Sequence, residues 1–108
     1  MSDNVVVSRH AVARFKQRFR YKIHSDMLNT SGINHMVRKF LTDAIRCDLQ
    51  LRNQVGKYNS MCIKHGGVVE YYTYSDIIFA CIRERGRLVV RTVYHTEQNT
   101  FPWDSIKA

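Results

Sequence analysis

The chain has 108 residues, 44% of them hydrophobic, and 17 Lys and Arg outnumber 9 Asp and Glu to give a formal net charge of +8. This length holds one domain, and the composition excludes a low-complexity or disordered chain. The positive charge favours a polyanionic partner such as nucleic acid, because each neutralised phosphate releases condensed counterions; a basic surface that is merely solvated is the alternative.

Helical patterns occupy the first half of the chain. Residues 5–7 predict a short edge strand, and Ser8 stands at the N-cap position of a helix predicted over residues 9–21. Residues 22–34 are polar and are typical of a long loop. A second helix is predicted over residues 33–52, because apolar side chains recur there with the helical period.

Strand patterns begin at residue 57, where β-branched and aromatic residues become frequent. We predict four strands, at residues 57–63, 68–74, 77–83 and 88–95, followed by an irregular tail over residues 96–108. The connections between the strands are short, which requires antiparallel neighbours. The expected fold is therefore a single α+β domain of residues 1–108, with two N-terminal helices packed on a four-stranded antiparallel meander sheet.

The first helix concentrates positive charge. His10, Arg14 and Arg18 fall one turn apart and share one stripe, and from Arg9 to Lys22 there are six Lys or Arg and no Asp or Glu. A bound phosphate would relieve this repulsion. An imidazole in the first turn beside guanidiniums also supplies a proton carrier and charge donors for phosphoryl transfer. The alternative is that His10 only caps the helix while the arginines are solvated.

The last predicted strand supplies the other half of a candidate site. Its alternation places Arg91 and His95 on one face and Tyr94 on the other, and it leaves open which of Tyr94 and His95 faces the site. Arg91 interrupts an apolar run and must reach solvent, a carboxylate or a phosphate, because burying it unpaired is costly. A salt bridge to Glu70 or Asp76 is the structural alternative.

Two short motifs resemble those of known nuclease families. The Ser-x-His-x-x-x-Arg-x-x-x-Arg pattern of residues 8–18 resembles the opening helix of the RegB-type phage endoribonucleases. His-Ala-Val-Ala-Arg at residues 10–14 and Val-Arg-Thr-Val-Tyr at residues 90–94 are similar to the opening and closing motifs of small RelE-like proteins, which include uncharacterised toxins of the BECR-type fold. The resemblance spans roughly residues 5–95 and implies two helices followed by an antiparallel sheet.

The resemblance implies a metal-independent endoribonuclease in which a 2′-hydroxyl attacks the adjacent phosphorus and leaves a cyclic phosphate. His10 matches the catalytic histidine of the RegB opening motif. RelE-like nucleases place Arg, Tyr or His on late strands facing the scissile phosphate, so Arg91 and His95 are the candidates that complete a site with His10. Arg14, on the same helical stripe as His10, is the remaining candidate catalytic residue. The candidate nucleic-acid contacts are Arg9, Lys16, Arg18, Arg20, Lys22 and Tyr94.

Two classes of function remain open at this point. In the first, the partner is RNA, free or ribosome-associated, and an antitoxin or a defence protein is a further partner of such a toxin. In the second, the chain is a non-catalytic phage-type inhibitor or regulator that binds RNA, a nucleotide or a host defence protein.

Other motifs argue against metal sites, cofactors and membranes. Cys47, Cys62 and Cys81 lie far apart with no C-x-x-C pair, which argues against a disulfide scaffold and a thiolate zinc site. The five histidines have no ligand spacing, and no acidic cluster suits Mg²⁺. No apolar segment reaches signal-peptide or membrane-spanning length. We therefore expect a cytoplasmic protein with no metal, no cofactor and no membrane association.

Overall fold

The computed structural model describes residues 4–25, 28–47, 61–64 and 66–96, which form an α+β fold with a five-stranded mixed sheet. The elements in chain order are β1 (Val5–Val7), α1 (Arg9–Arg18), a 3-10 turn (Arg20–Lys22), α2 (Thr30–Thr42), β2 (Ile45–Arg46), β3 (Val69–Tyr74), β4 (Ile77–Glu84) and β5 (Arg87–His95). Residues 61–64 are also helical. None of the described helices is long and apolar enough to cross a membrane. Beyond residue 96, the predicted tail lies outside the described residues.

The first helix begins at the predicted residue and ends three residues early. Ser8 caps it, since its Oγ accepts a hydrogen bond from the Ala11 N–H at 3.1 Å. The apolar stripe of Ala11, Phe15 and Phe19 is completely buried, as its four-residue spacing predicts. At Phe19 the backbone leaves the helical conformation (φ −127°), and the 3-10 turn replaces the last predicted turn of helix.

The second helix is displaced and shorter than predicted. It begins at Thr30, where the Asn29 side chain accepts a hydrogen bond from the Gly32 N–H at 2.7 Å, and it ends at Thr42. At this end the Thr42 hydroxyl donates a hydrogen bond to the Arg38 carbonyl at 3.1 Å, a side-chain contact that competes with continuation of the helix. Residues 45–46 were predicted as helix and instead form β2, which pairs with β3. Residues 48–52 of the predicted helix lie outside the described residues.

The sheet order is β1-β5-β4-β3-β2, with β1 parallel to β5 and the remaining neighbours antiparallel. Three predicted strands are confirmed as β3, β4 and β5. The four-stranded antiparallel meander is wrong, because β1 adds a parallel edge and β2 the opposite edge. The strand predicted at residues 57–63 is wrong over residues 61–63, which are helical; residues 57–60 lie outside the described residues. Three apolar residues in a row, Met-Cys-Ile at residues 61–63, are too few for periodicity to distinguish a strand from a helical turn.

Both faces of the sheet are covered. One face packs against α1 and α2, with Phe15, Phe19 and Val37 at the centre of that core. The opposite face carries a second core, against which Met61 and Cys62 of the helical residues pack. The middle strand β4 therefore has six consecutive buried residues, a pattern typical of a strand buried on both faces.

A β-bulge interrupts the pairing of β4 with β5. Ala80 pairs with Thr92 and Cys81 pairs with Val90, so Arg91 is the extra residue on β5. An extra residue in a strand moves every side chain that follows it to the opposite face of the sheet. Val90 and Val93 consequently pack into the same core, although residues three apart in a regular strand lie on opposite faces.

Candidate functional site at the start of the first helix

A cleft of about 650 Å³ lies where the N-terminus of α1 meets the bulge of β5. Its lining residues are Ser8, Arg9, His10, Ile63, Lys64, Gly66 and Arg91. The predicted site residues Arg9 and His10 are thus brought together with Arg91, which is distant from them in the sequence. Lys64 was missed by the sequence reasoning, although its position in a basic, glycine-containing turn was a usable signal.

Hydrogen bonds from Ser8 set the position of this cleft. Its backbone N–H donates to the Val90 carbonyl at 3.1 Å, and its hydroxyl donates to the Arg91 carbonyl at 3.2 Å. β1 pairs with β5 only as far as Val90, so the chain leaves the sheet edge at the bulge and enters α1 there. The first turn of α1 is consequently held against Arg91.

His10 is exposed at the mouth of the cleft and is surrounded by cations. Burial lowers the pKa of its imidazole, and the charges of Arg14, Arg18 and Lys64 lower the pKa further. The Arg14 Nε donates to the His10 Nε2 at 3.4 Å, which places the lone pair of the neutral ring on Nε2. The lowered pKa favours the neutral ring, which is able to accept a proton.

Arg91 lies partly exposed at the other side of the cleft. Its Nη2 is 3.5 Å from the Glu84 Oε1, a long contact between side chains that are 38% and 51% exposed. Arg91 therefore has a carboxylate partner, as the structural alternative expected, but that partner is Glu84 and not Glu70 or Asp76. Those carboxylates have other partners, Arg83 at 2.9 Å and Lys22 at 2.9 Å respectively. An exposed pair of this kind contributes little to stability, so Glu84 holds Arg91 only weakly.

Arg18 lies at the C-terminal end of the stripe formed by His10, Arg14 and Arg18, which we call the arginine stripe. Its Nη1 donates to the Val93 carbonyl at 2.7 Å, and its guanidinium carbon lies 5.4 Å from the centroid of the Tyr94 ring. Burial, followed by the charge of Arg14, lowers the pKa of Arg18. Tyr94 is buried, which raises the pKa of its hydroxyl. Arg18 therefore joins α1 to the open edge of β5 beyond β1.

His95 lies in a different cluster from His10. Its ring stacks on Phe19 with centroids 5.6 Å apart, and its Nε2 lies 3.3 Å from the Asp76 Oδ2 and 3.2 Å from the Tyr21 hydroxyl. Phe19 follows His10 by nine residues, a rise of about 13 Å along a helix. Of Tyr94 and His95, Tyr94 is the residue that contacts the arginine stripe.

The remaining candidate nucleic-acid contacts are distributed unevenly. Arg9 is exposed and lines the cleft, and Arg20 is exposed beyond the end of α1. Lys16 is half-buried on the same helix. Lys22 forms an ion pair with Asp76, which reduces the charge that it presents to a ligand.

Comparison of the chain with protein-family models, with curated proteins and with solved structures found no match. The resemblance to RegB-type and RelE-like proteins therefore rests on the short motifs alone. The observations that bear on function are the cleft, the charges around His10 and the bulge that positions Arg91.

Proposed function

We propose that the protein binds RNA and cleaves it without a metal ion, by attack of a 2′-hydroxyl on the adjacent phosphorus. The observation that carries the proposal is the His10 imidazole, whose pKa is lowered by burial and by neighbouring cations, at the mouth of a cleft shared with Arg91. A neutral imidazole accepts a proton, and fixed cations stabilise charge that develops on phosphate oxygens. The short motifs shared with RNA-cleaving families support the same conclusion.

In the proposed reaction, the His10 Nε2 takes the proton of the 2′-hydroxyl. The 2′-oxygen–phosphorus bond forms and the bond from phosphorus to the 5′-oxygen breaks, with the 5′-oxygen taking a proton from solvent. The products are a 2′,3′-cyclic phosphate and a 5′-hydroxyl end. Arg14, Lys64 and Arg91 stabilise the charge on the non-bridging oxygens, and Arg14 releases the His10 Nε2 when it turns to the phosphate.

The test is incubation of the purified chain with total RNA in EDTA, followed by identification of the product ends. We expect cyclic phosphate and 5′-hydroxyl ends from the wild type, and no cleavage by His10→Ala. His24→Ala, which removes another exposed histidine, is the matched control and should cleave normally. Equal cleavage by His10→Ala and the wild type would contradict the proposal.

A second function, that of a non-catalytic binder, is favoured by the position of His95. The sequence pattern offered two histidines for the chemistry, and the contacts of His95 with Asp76 and Phe19 place it in another cluster. A single imidazole with several cations is enough to bind a phosphate without turnover. Salt-sensitive RNA binding with no cleavage by the wild type would favour this function.

A further inference from the structure

We infer that the RNA continues from the cleft at His10 to a second phosphate-binding subsite on the β4–β5 hairpin, formed by Arg85 and Arg87. The inference rests on the proposed function and extends it, because it names the substrate as a single strand longer than a dinucleotide.

A second cleft, of about 550 Å³, lies beside the β4–β5 hairpin. Its lining residues are Val6, Glu84, Arg85, Arg87 and Val89. One contact links the two clefts, since Glu84 lines the second cleft and its carboxylate contacts Arg91, which lines the first. A chain bound at Arg91 therefore has a direct route into the second cleft.

The charges along this route suit a polyanion. Arg85 and Arg87 are exposed at the hairpin, and Arg87 and Arg91 are four residues apart on β5, a rise of about 13 Å. One phosphate does not span that distance, whereas successive phosphates of one strand do. Among the described lining residues of both clefts, Glu84 is the single carboxylate.

The backbone of the hairpin turn gives a second reason to single out Arg85. Glu84 pairs with Arg87, and the two residues between them, Arg85 and Gly86, have φ angles of 53° and 78°. This is the left-handed region that a two-residue hairpin requires and that Asn, Asp or Gly normally occupies. An arginine at this position is conformationally unfavourable, which favours a role for its charge.

The lining of the second cleft favours a single strand over a duplex. The bases of a duplex are paired and stacked in its interior, whereas the bases of a single strand are free to contact the wall of a cleft. Partly buried Val6 and buried Val89 also offer an apolar surface for a ribose or a base. Basic grooves that follow the backbone of a flexible strand are typical of single-strand binding.

The test is fluorescence anisotropy with labelled 2′-O-methyl oligouridylates of two and eight nucleotides, together with a duplex of eight base pairs. The blocked 2′-oxygen prevents cleavage, so binding is measured separately from the proposed chemistry. The variant is Arg85→Asn with Arg87→Gln, in which Asn suits the left-handed turn. The control is Arg38→Gln with Lys39→Gln, which removes two exposed charges from α2.

We expect the wild type to bind the octamer about tenfold more tightly than the dimer, because additional phosphates are neutralised. The hairpin variant should bind the two-nucleotide probe with unchanged affinity and should lose most of the additional affinity for the octamer. The α2 control should keep that additional affinity. An equal loss in both variants, no gain with length in the wild type, or tighter binding of the duplex would overturn the inference. If cleavage depends on His10 but affinity does not increase with the length of the oligonucleotide, the subsite is overturned and the proposed function is retained.

Discussion

Ser8 ties the first helix to the bulge of the last strand, because its hydroxyl donates to the Arg91 carbonyl at 3.2 Å and accepts from the Ala11 N–H at 3.1 Å. One side chain thus satisfies a helix terminus and a carbonyl at the open edge of β5. This contact fixes the start of α1, with His10 two residues further on, beside Arg91.

Replacing Ser8 should lower both stability and turnover. Ser8→Ala loses the helix cap and should cost about 1 kcal/mol of unfolding free energy. It also releases the start of α1 from the bulge, so cleavage by the folded protein should fall too. Ser8→Thr keeps the hydroxyl and should restore both quantities in thermal melts and cleavage assays. A loss of stability with full turnover would show that the tether does not position the site.

The pH dependence of cleavage should report the neutral form of His10. Because burial and cations lower its pKa, the rate should rise with pH and reach half its plateau below pH 6.5, the ordinary histidine value. Arg14→Gln removes one of these cations, so the pKa should rise and the acid limb should move to higher pH. Arg20→Gln, an exposed arginine beyond the helix, is the control. Rate profiles in which Arg14→Gln leaves the acid limb in place would contradict this assignment.

Arg14 and Arg91 should act as a unit. Arg14→Ala and Arg91→Ala should each slow cleavage, and the double variant should lose less than the product of the single losses, since both stabilise the same charge. The Arg91–Glu84 contact is exposed, so Arg91→Ala should lower the melting temperature by no more than about 4 °C. Arg91 would have a structural role if the two substitutions slowed cleavage independently. The same conclusion would follow if Arg91→Ala lowered stability strongly while the folded protein cleaved at the normal rate.

Neutralising Glu84 should strengthen RNA binding. Its carboxylate contacts Arg91 between the two clefts, so Glu84→Gln removes a charge that competes with phosphate. The affinity should rise, and its salt dependence should steepen by roughly 0.7 for each additional phosphate that the protein neutralises on a single strand. Asp43→Asn, at the end of α2, is the matched control. Equal effects of the two substitutions in salt titrations would show that only net charge matters.

His95 should matter for stability more than for chemistry. His95→Ala removes the ring stacked on fully buried Phe19 and the contact with Asp76, at an expected cost of about 1–2 kcal/mol. Turnover by the folded protein should be retained. Thermal melts and cleavage rates measured below the transition separate these effects. Abolished cleavage in a fully folded His95→Ala variant would return His95 to the catalytic set.

Local features were predictable from the sequence because they depend on neighbours along the chain. The Ser8 cap, the buried stripe of Ala11, Phe15 and Phe19, and the strands β3, β4 and β5 follow from capping chemistry and side-chain periodicity. The cationic stripe of His10 and Arg14 likewise follows from four-residue spacing.

The arrangement of the site was decided by contacts between distant segments. The bulge at Arg91 exists only in the pairing of β5 with β4, and it reversed the faces that simple alternation had assigned to the end of the strand. The parallel pairing of β1 with β5 brings Ser8 and His10 to that bulge, and the packing of the helical residues 61–64 on the sheet brings Lys64 there as well. The sequence by itself therefore determined which charges the protein carries and on which local elements. Tertiary pairing decided which of them meet, because strand register and edge position are set by partners far away in the chain.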